Sequence, residues 1–534
     1  MGISILRSLS TNGRSAPGTS YYTGGMFYGS YPSGAGLGWN PYTHPLFPSV
    51  TVYAQQILSS ESALTAGILP NTDNVAATYT TVISTKGNTG DTATPKAIIA
   101  IAGGTQTVSL GTYTVGSSDT SIALQGAALA AVINANTYST GFSATFSTAT
   151  LTVIFPTSQG VYPNTGTPLS FSTNAGTAFV FAASALGVSG TASVYADAYY
   201  QISEYYRLNP TGNLWIGFIS ASVSFEEILA LQYASGNILY QMWIADNSTT
   251  RGLAANLIST TQSIQSVVNN IATLHPCEII YRPNIVAVTN LSTLPNGQTN
   301  TNTNNVEVLI SQDGEAQGAL LYTVSGYSIS NLGAKCGTLS ALRVSASDAQ
   351  PIQQNNVSNG IENNIAAISN GTLVSALSVS LFQQLFGTTS TNTYGYGYIG
   401  FVQYPGNASG TFWTGNSMFI TNASRYAFMN DNRVWDMVCR IIQKTYTPYL
   451  SSEIQYDSNG NIDNSSIVFL QGLGVNAITA SMITGINPPF ISGTPVVQIN
   501  PAQNVQATNT LNIGVSVEEN GIIRNIVVTN GYSN

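Results

Sequence analysis

Residues 424–462 read SRYAFMNDNRVWDMVCRIIQKTYTPYLSSEIQYDSNGNI, and the rest of the chain is organised around them. Val434, Val438, Ile441 and Thr445 recur at one-turn spacing, with Met437 and Ile442 flanking the same stripe, which predicts an amphipathic helix turned toward a core. Asn430 or Asp431 is expected to cap its start with a side-chain oxygen, and Pro448 to end it. Of the fourteen basic residues in the chain, Arg425, Arg433, Arg440 and Lys444 fall here, and Asp436 sits four residues before Arg440. Such a face has two readings. It is either a solvated helix surface with one i,i+4 ion pair, or a contact for an acidic partner.

The composition sharpens that choice. Of 534 residues only 7% are charged, against about a quarter in an ordinary soluble protein. Ser, Thr, Asn and Gln fill the polar positions, and a weakly charged surface does little to repel further copies of itself. A formal net charge of −8 argues against a nucleic-acid binder, which needs a basic footprint to displace counterions. Cys277, Cys336 and Cys439 are widely spaced and odd in number, so no disulfide framework or zinc pattern can be drawn. The N-terminal MGISILRSLSTNGRS has no apolar run of signal-peptide length, and Thr177–Val194 is too interrupted by Thr, Ser and Gly for a membrane helix.

Taken in order, residues 1–49 carry a partial alternation at Ile3 and Ile5 and then a Gly/Tyr-rich stretch, YYTGGMFYGSYPSGAGLGWNPY, read as an extended arm rather than core. Residues 50–69 suggest a strand and a short helix that begin a folded body. From 70 to 190 short alternating strands (Ala97–Ile101, Thr107–Val115, Phe142–Phe146, Thr150–Phe155) surround a small-residue helix near Leu124–Asn134. This is expected to be an α+β domain inserted into the body. Residues 191–423 alternate strands and helices over a partly parallel sheet. Here Ser224 and Glu227 are expected to form a capping box, Leu253–Leu274 a long helix, and Asn296–Asn305 an exposed polar loop. A C-terminal core (424–509) contains a loose connector from Thr484 to Asn509, and a β arm (510–534) alternates at Leu511, Ile513, Val515 and Val517 and resumes through Ile526 and Val528. The fold class expected is therefore α/β and α+β multidomain, with an inserted β-rich domain and extended terminal arms.

The aromatic-rich strand, then Arg425, the Asn-x-Arg-Val helix with its basic residues, an extended segment and the Asp-x-x-Gly turn at Asp457–Gly460 together resemble the C-terminal core of contractile tail sheath proteins of phages and related injection machines. Residues 315–345 resemble the helical segment before that core, and Leu511–Val528 its closing β-segment. The resemblance implies a sheath-like body whose copies polymerise as a helical sleeve around an inner tail tube protein, between baseplate and tail terminator proteins. It implies a place in the virion tail after synthesis in the host cytoplasm, with no direct nucleic-acid or membrane contact. Contraction of the sleeve would drive the tube through a cell envelope. On this reading Arg425, Arg433, Asp436, Arg440 and Lys444 are tube-contact candidates, and Ile3, Ile5, Leu511, Ile513, Val515, Val517, Ile526 and Val528 are candidates for strands shared between subunits. The alternative of another class is a secreted or surface-layer adhesin-like β-rich protein, which has the same charge-poor composition.

Catalytic signatures point the same way. His44 and His275 are the only histidines, and there is no H-E-x-x-H, P-loop, G-x-S-x-G or C-x-x-C. Carboxylates remain: Asp313 after an apolar strand, and the adjacent pairs Glu226/Glu227 and Glu518/Glu519. Each has a structural reading, as a turn, a helix start or a hairpin turn. The expectation is a protein that is not an enzyme, with no catalytic, metal or cofactor site.

Overall fold

The computed structural model describes residues 22–34, 36–69, 75–101, 104–174, 178–191, 194–219, 224–251, 253, 255–271, 277–350, 365–387, 395–404, 408–486 and 488–521. The chain is a mixed α/β multidomain protein with several sheets. Its first strands are β1 (Tyr22–Tyr28), β2 (Asn40–His44) and β3 (Phe47–Ile57), followed by the helix Ser60–Thr65. Strands β4 (Thr78–Thr85), β5 (Thr92–Ile101), β6 (Gly104–Ser109), β7 (Tyr113–Thr114), β8 (Ser143–Ser147), β9 (Thr150–Ile154), β10 (Leu169–Thr173), β11 (Val180–Phe181) and β12 (Ala185–Val188) belong to the inserted unit. The body resumes with β13 (Asn213–Ile219), β14 (Gln241–Ala245), β15 (Glu278–Arg282), β16 (Val306–Leu309) and β19 (Tyr398–Ile399). Between these last two lie β17 (Ser311–Asp313) and β18 (Ala366–Ile368), which pair with each other.

The main sheet has the order β19-β16-β15-β14-β1-β13-β3-β2. The six strands from β19 to β13 run parallel, and β3 and β2 add an antiparallel edge. Helices cover both faces, as the β–α alternation predicts. Glu227–Ala234, Leu257–Ile271 and Val379–Phe386 pack with Met26, Met242, Ile244 and Ile279 on one face. Ala196–Leu208 and Leu332–Ala341 pack with Phe27, Ile216, Trp243 and Ile280 on the other.

The position of β1 corrects the reading of an arm over residues 22–28, while residues 1–21 lie outside the described residues. Tyr22–Tyr28 is the strand between β13 and β14, buried on both faces. Its glycines are the reason. A Cβ on Gly25 would lie 2.3 Å from Trp243 Cε2, and one on Gly24 2.5 Å from Met242 Cγ, so the pair makes room for large neighbours on β14. The glycine pair Gly24–Gly25 thus reflects close packing within the sheet.

The inserted unit has its own core, with Tyr79, Ile83, Leu129, Ile133, Phe142, Leu151 and Phe155 buried between two small antiparallel sheets and the helix Ile122–Ala135. Its two ends meet: Val75 N–H donates to Thr191 Oγ1, and Thr191 N–H donates to the Val75 carbonyl, both at 3.0 Å. A smaller apolar cluster seats the unit on the body, where Ala100 and Tyr162 meet Ala196, Leu321 and Val324.

Four local expectations change. Ser224 and Glu227 form no capping box: the helix is Glu227–Ala234, no side chain caps its first turn, and Phe225 before it has a left-handed φ of +63°. The long helix starts at Leu257 rather than Leu253, one turn later. The 296–305 segment is only partly exposed: Gly297, Asn300, Thr303 and Asn305 are buried, while Thr299, Thr301 and Asn302 are exposed. Several of its polar groups are bonded internally: Gln265 and Asn305 exchange two hydrogen bonds, Thr303 Oγ1 donates to the Phe419 carbonyl, and Gln262 Nε2 donates to Asn300 Oδ1. The connector expected from Thr484 to Asn509 contains a nine-residue strand, β22 (Ile491–Ile499). Gly493, at φ +70°, and Pro495 lie where the register slips, so the residues that look like a connector mark a bulge within a strand.

Candidate functional site: the bridging helix and the C-terminal hairpin

The helix expected from 424–462 is Met429–Tyr446, and it joins two bodies of structure. β20 (Phe401–Tyr404) and β21 (Ala408–Trp413) form the hairpin that leads toward it. The helix begins before Asn430 and Asp431, so neither caps it. Phe428 holds the cap position, and Asn430 instead accepts from Asn416 Nδ2 through Oδ1.

The first half of the helix is sunk into the body. Arg433 is 1% exposed and its Nη2 donates to the Leu339 carbonyl at 2.7 Å and the Leu342 carbonyl at 3.1 Å. These carbonyls end the helix Leu332–Ala341, where the macrodipole and unsatisfied acceptors favour a cation. Asp436 is also buried, and the Arg440 guanidinium stacks 3.7 Å over the centre of the Tyr240 ring. Burial pushes the Cys277 thiol well up, with Glu278 and Asp436 adding to that shift and Arg440 opposing it. A second tie runs the other way: Arg343 donates to the Pro488 carbonyl and lies over the Phe490 ring.

The expected basic face is therefore corrected. Arg433 and Arg440 fasten the helix to its own body, Asp436 is buried beside them, and only Arg425 and Lys444 of the five candidates are exposed. The surface that meets Arg433 presents the carbonyls of Leu339 and Leu342, so a charged side chain off the apolar stripe is buried as well.

The second half of the helix carries a compact C-terminal unit. Asp463 accepts from Ser465 N–H at 2.8 Å and caps the helix Asn464–Met482, which packs against Val434, Val438 and the strands β22 and β23 (Ile513–Glu519). That helix is long and apolar enough to cross a membrane. Ile467, Leu470, Gly474, Ile478 and Met482 form its buried face here, while Val468 and Phe469 are exposed. The Asp457–Gly460 turn forms as expected: Asp457 Oδ1 accepts from Asn459 and Asn461 N–H, both at 2.8 Å, and these bonds hold its carboxyl below the usual range.

Strands β22 and β23 pair antiparallel, with Ile499 opposite Ile513, Val497 opposite Val515 and Ile491 opposite Glu519. Ile513, Val515 and Val517 turn one face onto the two helices, and Leu511 packs nearby against the neighbouring cluster of Tyr446, Ile462 and Ile499. These four strand candidates are thus engaged within their own chain. Ile3, Ile5, Ile526 and Val528 lie outside the described residues. Glu518 and Glu519 sit on the end of β23 rather than in a turn. Among the described residues β22 and β23 pair only with each other, so both outer edges of this two-stranded sheet are open. Beside the hairpin a shallow groove of about 510 Å³ is lined by Gln471, Gln498, Ile499, Asn500, Gln503, Asn512 and Gly514.

The carboxylates considered for catalysis have local tasks. Asp313 accepts from Glu315, Ala316 and Gly318 N–H, building the start of the helix Gln317–Ser325. Glu227 is buried at the start of its helix, and desolvation raises its carboxyl. His275 lies outside the described residues. None of the three cysteines is in a disulfide.

Sequence reasoning missed the buried charges. Lys335 meets Glu307 and Asp348, Arg282 meets Asp197 at 2.5 Å, and Arg251 meets Asp246 at 2.6 Å. A signal existed, since Glu307 stands inside the otherwise apolar strand Val306–Leu309 of a chain that has few charges to place.

Residues 426–534 match the family described as DUF2586, C-terminal domain, a family of unknown function. No curated protein matches the chain. The matched stretch runs from the residue after Arg425 to the end of the chain, and so takes in the bridging helix and the whole C-terminal unit.

Proposed function

We propose that this chain is a structural, non-enzymatic subunit of a contractile tail sheath, which polymerises as a helical sleeve around an inner tube and contracts to drive the tube through a cell envelope. The observation that carries this reading is the C-terminal unit: a two-stranded sheet that pairs with no further strand among the described residues, borne on one helix rooted in the body. An edge of that kind accepts a strand from another copy through backbone pairing, which can persist while side-chain interfaces exchange. The sparse surface charge suits close packing of copies. In this reading Arg425 and Lys444 face the tube, and the inserted unit stands away from it. The baseplate and the tail terminator are the partners at either end of the sleeve.

Negative-stain electron microscopy of the full chain, alone and with a candidate tube protein, tests the proposal. Hollow, regularly striated sleeves are the expected result, and a chain lacking residues 510–534 should give folded particles without sleeves. Monodisperse particles under both conditions would overturn the reading in favour of the adhesin-like class. Normal sleeves from the shortened chain would remove the strand link alone.

A further inference from the structure

Lys335 is the centre of a charge cluster with no access to water. Its Nζ lies 3.1 Å from Glu307 Oε1, touches Asp348 Oδ2 more closely, sits 5.2 Å from the centre of the Trp413 ring and donates to the Gly415 carbonyl at 3.5 Å. All three charged side chains are 0% exposed. Glu307 lies in β16, next to the edge strand β19, Lys335 in the helix Leu332–Ala341 and Asp348 in the segment that follows it, so the cluster pins that helix to the main sheet. Glu278, at the start of the neighbouring β15, is the other carboxylate facing Glu307.

One ammonium cannot neutralise two buried carboxylates, and a third carboxylate stands behind them. Asp348 makes the closer contact with Lys335 and takes the ion pair. Lys335 is the only cation within ion-pair range of Glu307 among the described residues. The same helix also receives the C-terminal unit: Arg433 donates to its last carbonyls, and Arg343, just beyond it, reaches Pro488. Whatever loosens the helix from the sheet loosens the seat of that unit.

We propose that Glu307, Lys335 and Asp348 form a proton-dependent latch, closed while Glu307 is a neutral acid, whose opening releases the Leu332–Ala341 helix and with it the docking of the C-terminal unit. Burial pushes the Glu307 carboxyl up to about 8; Lys335 opposes this, and Asp348 and Glu278 add to it. Because the folded value lies above the ordinary 4.5, the contribution is fully present below about pH 4.5, is lost progressively as pH rises to about 8, and changes no further above it. The latch needs no assembly and stands apart from the function proposed above.

Hydrogen exchange of the full chain, followed by mass spectrometry from pH 5 to 9 and corrected for intrinsic exchange, reads the latch directly. In the native chain the opening constant of residues 332–342 should rise about ten-fold per pH unit up to about pH 8, one proton being released on opening. In Glu307→Gln, which imitates the neutral acid, it should be independent of pH. The helix Ile122–Ala135 of the inserted unit should be flat in both chains. A flat native profile at 332–342, an unaltered slope in Glu307→Gln, or failure of that variant to fold would each overturn the proposal.

Discussion

Arg433 shows how one side chain can look like surface and act as a fastener. Its guanidinium ends the helix Leu332–Ala341 from outside, serving carbonyls that the helix cannot satisfy itself. Arg433→Met keeps most of the packing volume and strips two buried acceptors of their donor, so urea unfolding should show a loss of about 1–3 kcal/mol. Lys444→Gln, on the exposed side of the same helix, should change stability by less than about 0.5 kcal/mol. Equal effects at the two positions would show that Arg433 is not the tie described. The clustering of basic residues was legible in the sequence, and the stripe of Val434, Val438 and Ile441 was legible too. The destination of the charges was not. Periodicity tells which side chains leave the apolar stripe, but only the tertiary partner decides whether they meet water or another helix's carbonyls.

At the scale of elements, the legible parts were those whose period and flanks agreed. The helix expected near Leu124–Asn134 is Ile122–Ala135, and the strands expected at Phe142–Phe146 and Thr150–Phe155 are β8 and β9. The elements that escaped were strands written in poor strand formers. β1 contains the glycine pair that Met242 and Trp243 require, and β22 contains Gly493 and Pro495 at its bulge. Gly25→Ala should therefore be destabilising by about 1–3 kcal/mol, since the Trp243 ring must move inside a packed layer. Gly472→Ala is the counterpart, in the helix Asn464–Met482 with nothing within 4 Å of the new Cβ. It should stabilise by about 0.5–1 kcal/mol. Thermal melts of the two variants in opposite directions are the expected result; a neutral Gly25→Ala would mean that the β1–β14 contact has slack.

For the whole molecule, the inserted unit is separable in a way the bridging helix is not. Its ends meet at Val75 and Thr191, its core is its own, and one small cluster around Ala100 and Tyr162 joins it to the body. Replacing residues 76–190 with a short Gly/Ser linker should leave a body that still unfolds in one cooperative transition, lowered modestly by exposure of Leu321 and Val324. Loss of cooperativity would show that the unit is part of the body's folding core. The change to short Thr-rich strands was visible in the sequence, whereas the C-terminal unit's attachment was not, because it rests on contacts between residues far apart in sequence, such as Arg433 with Leu339 and Arg343 with Pro488.

The central place of β1 also sets a schedule for synthesis. Both of its neighbours, β13 and β14, leave the ribosome only after the inserted unit, and the interval from Tyr28 to Ala245 takes roughly 10–40 s at typical elongation rates. Throughout that wait the nascent chain holds an apolar strand with no partner, while the inserted unit, which contains its own pairings, can already fold. The glycines that later admit Met242 and Trp243 make the waiting strand a weak template for pairing with other nascent chains, so the same two residues guard the segment before it is covered and close the sheet once it is.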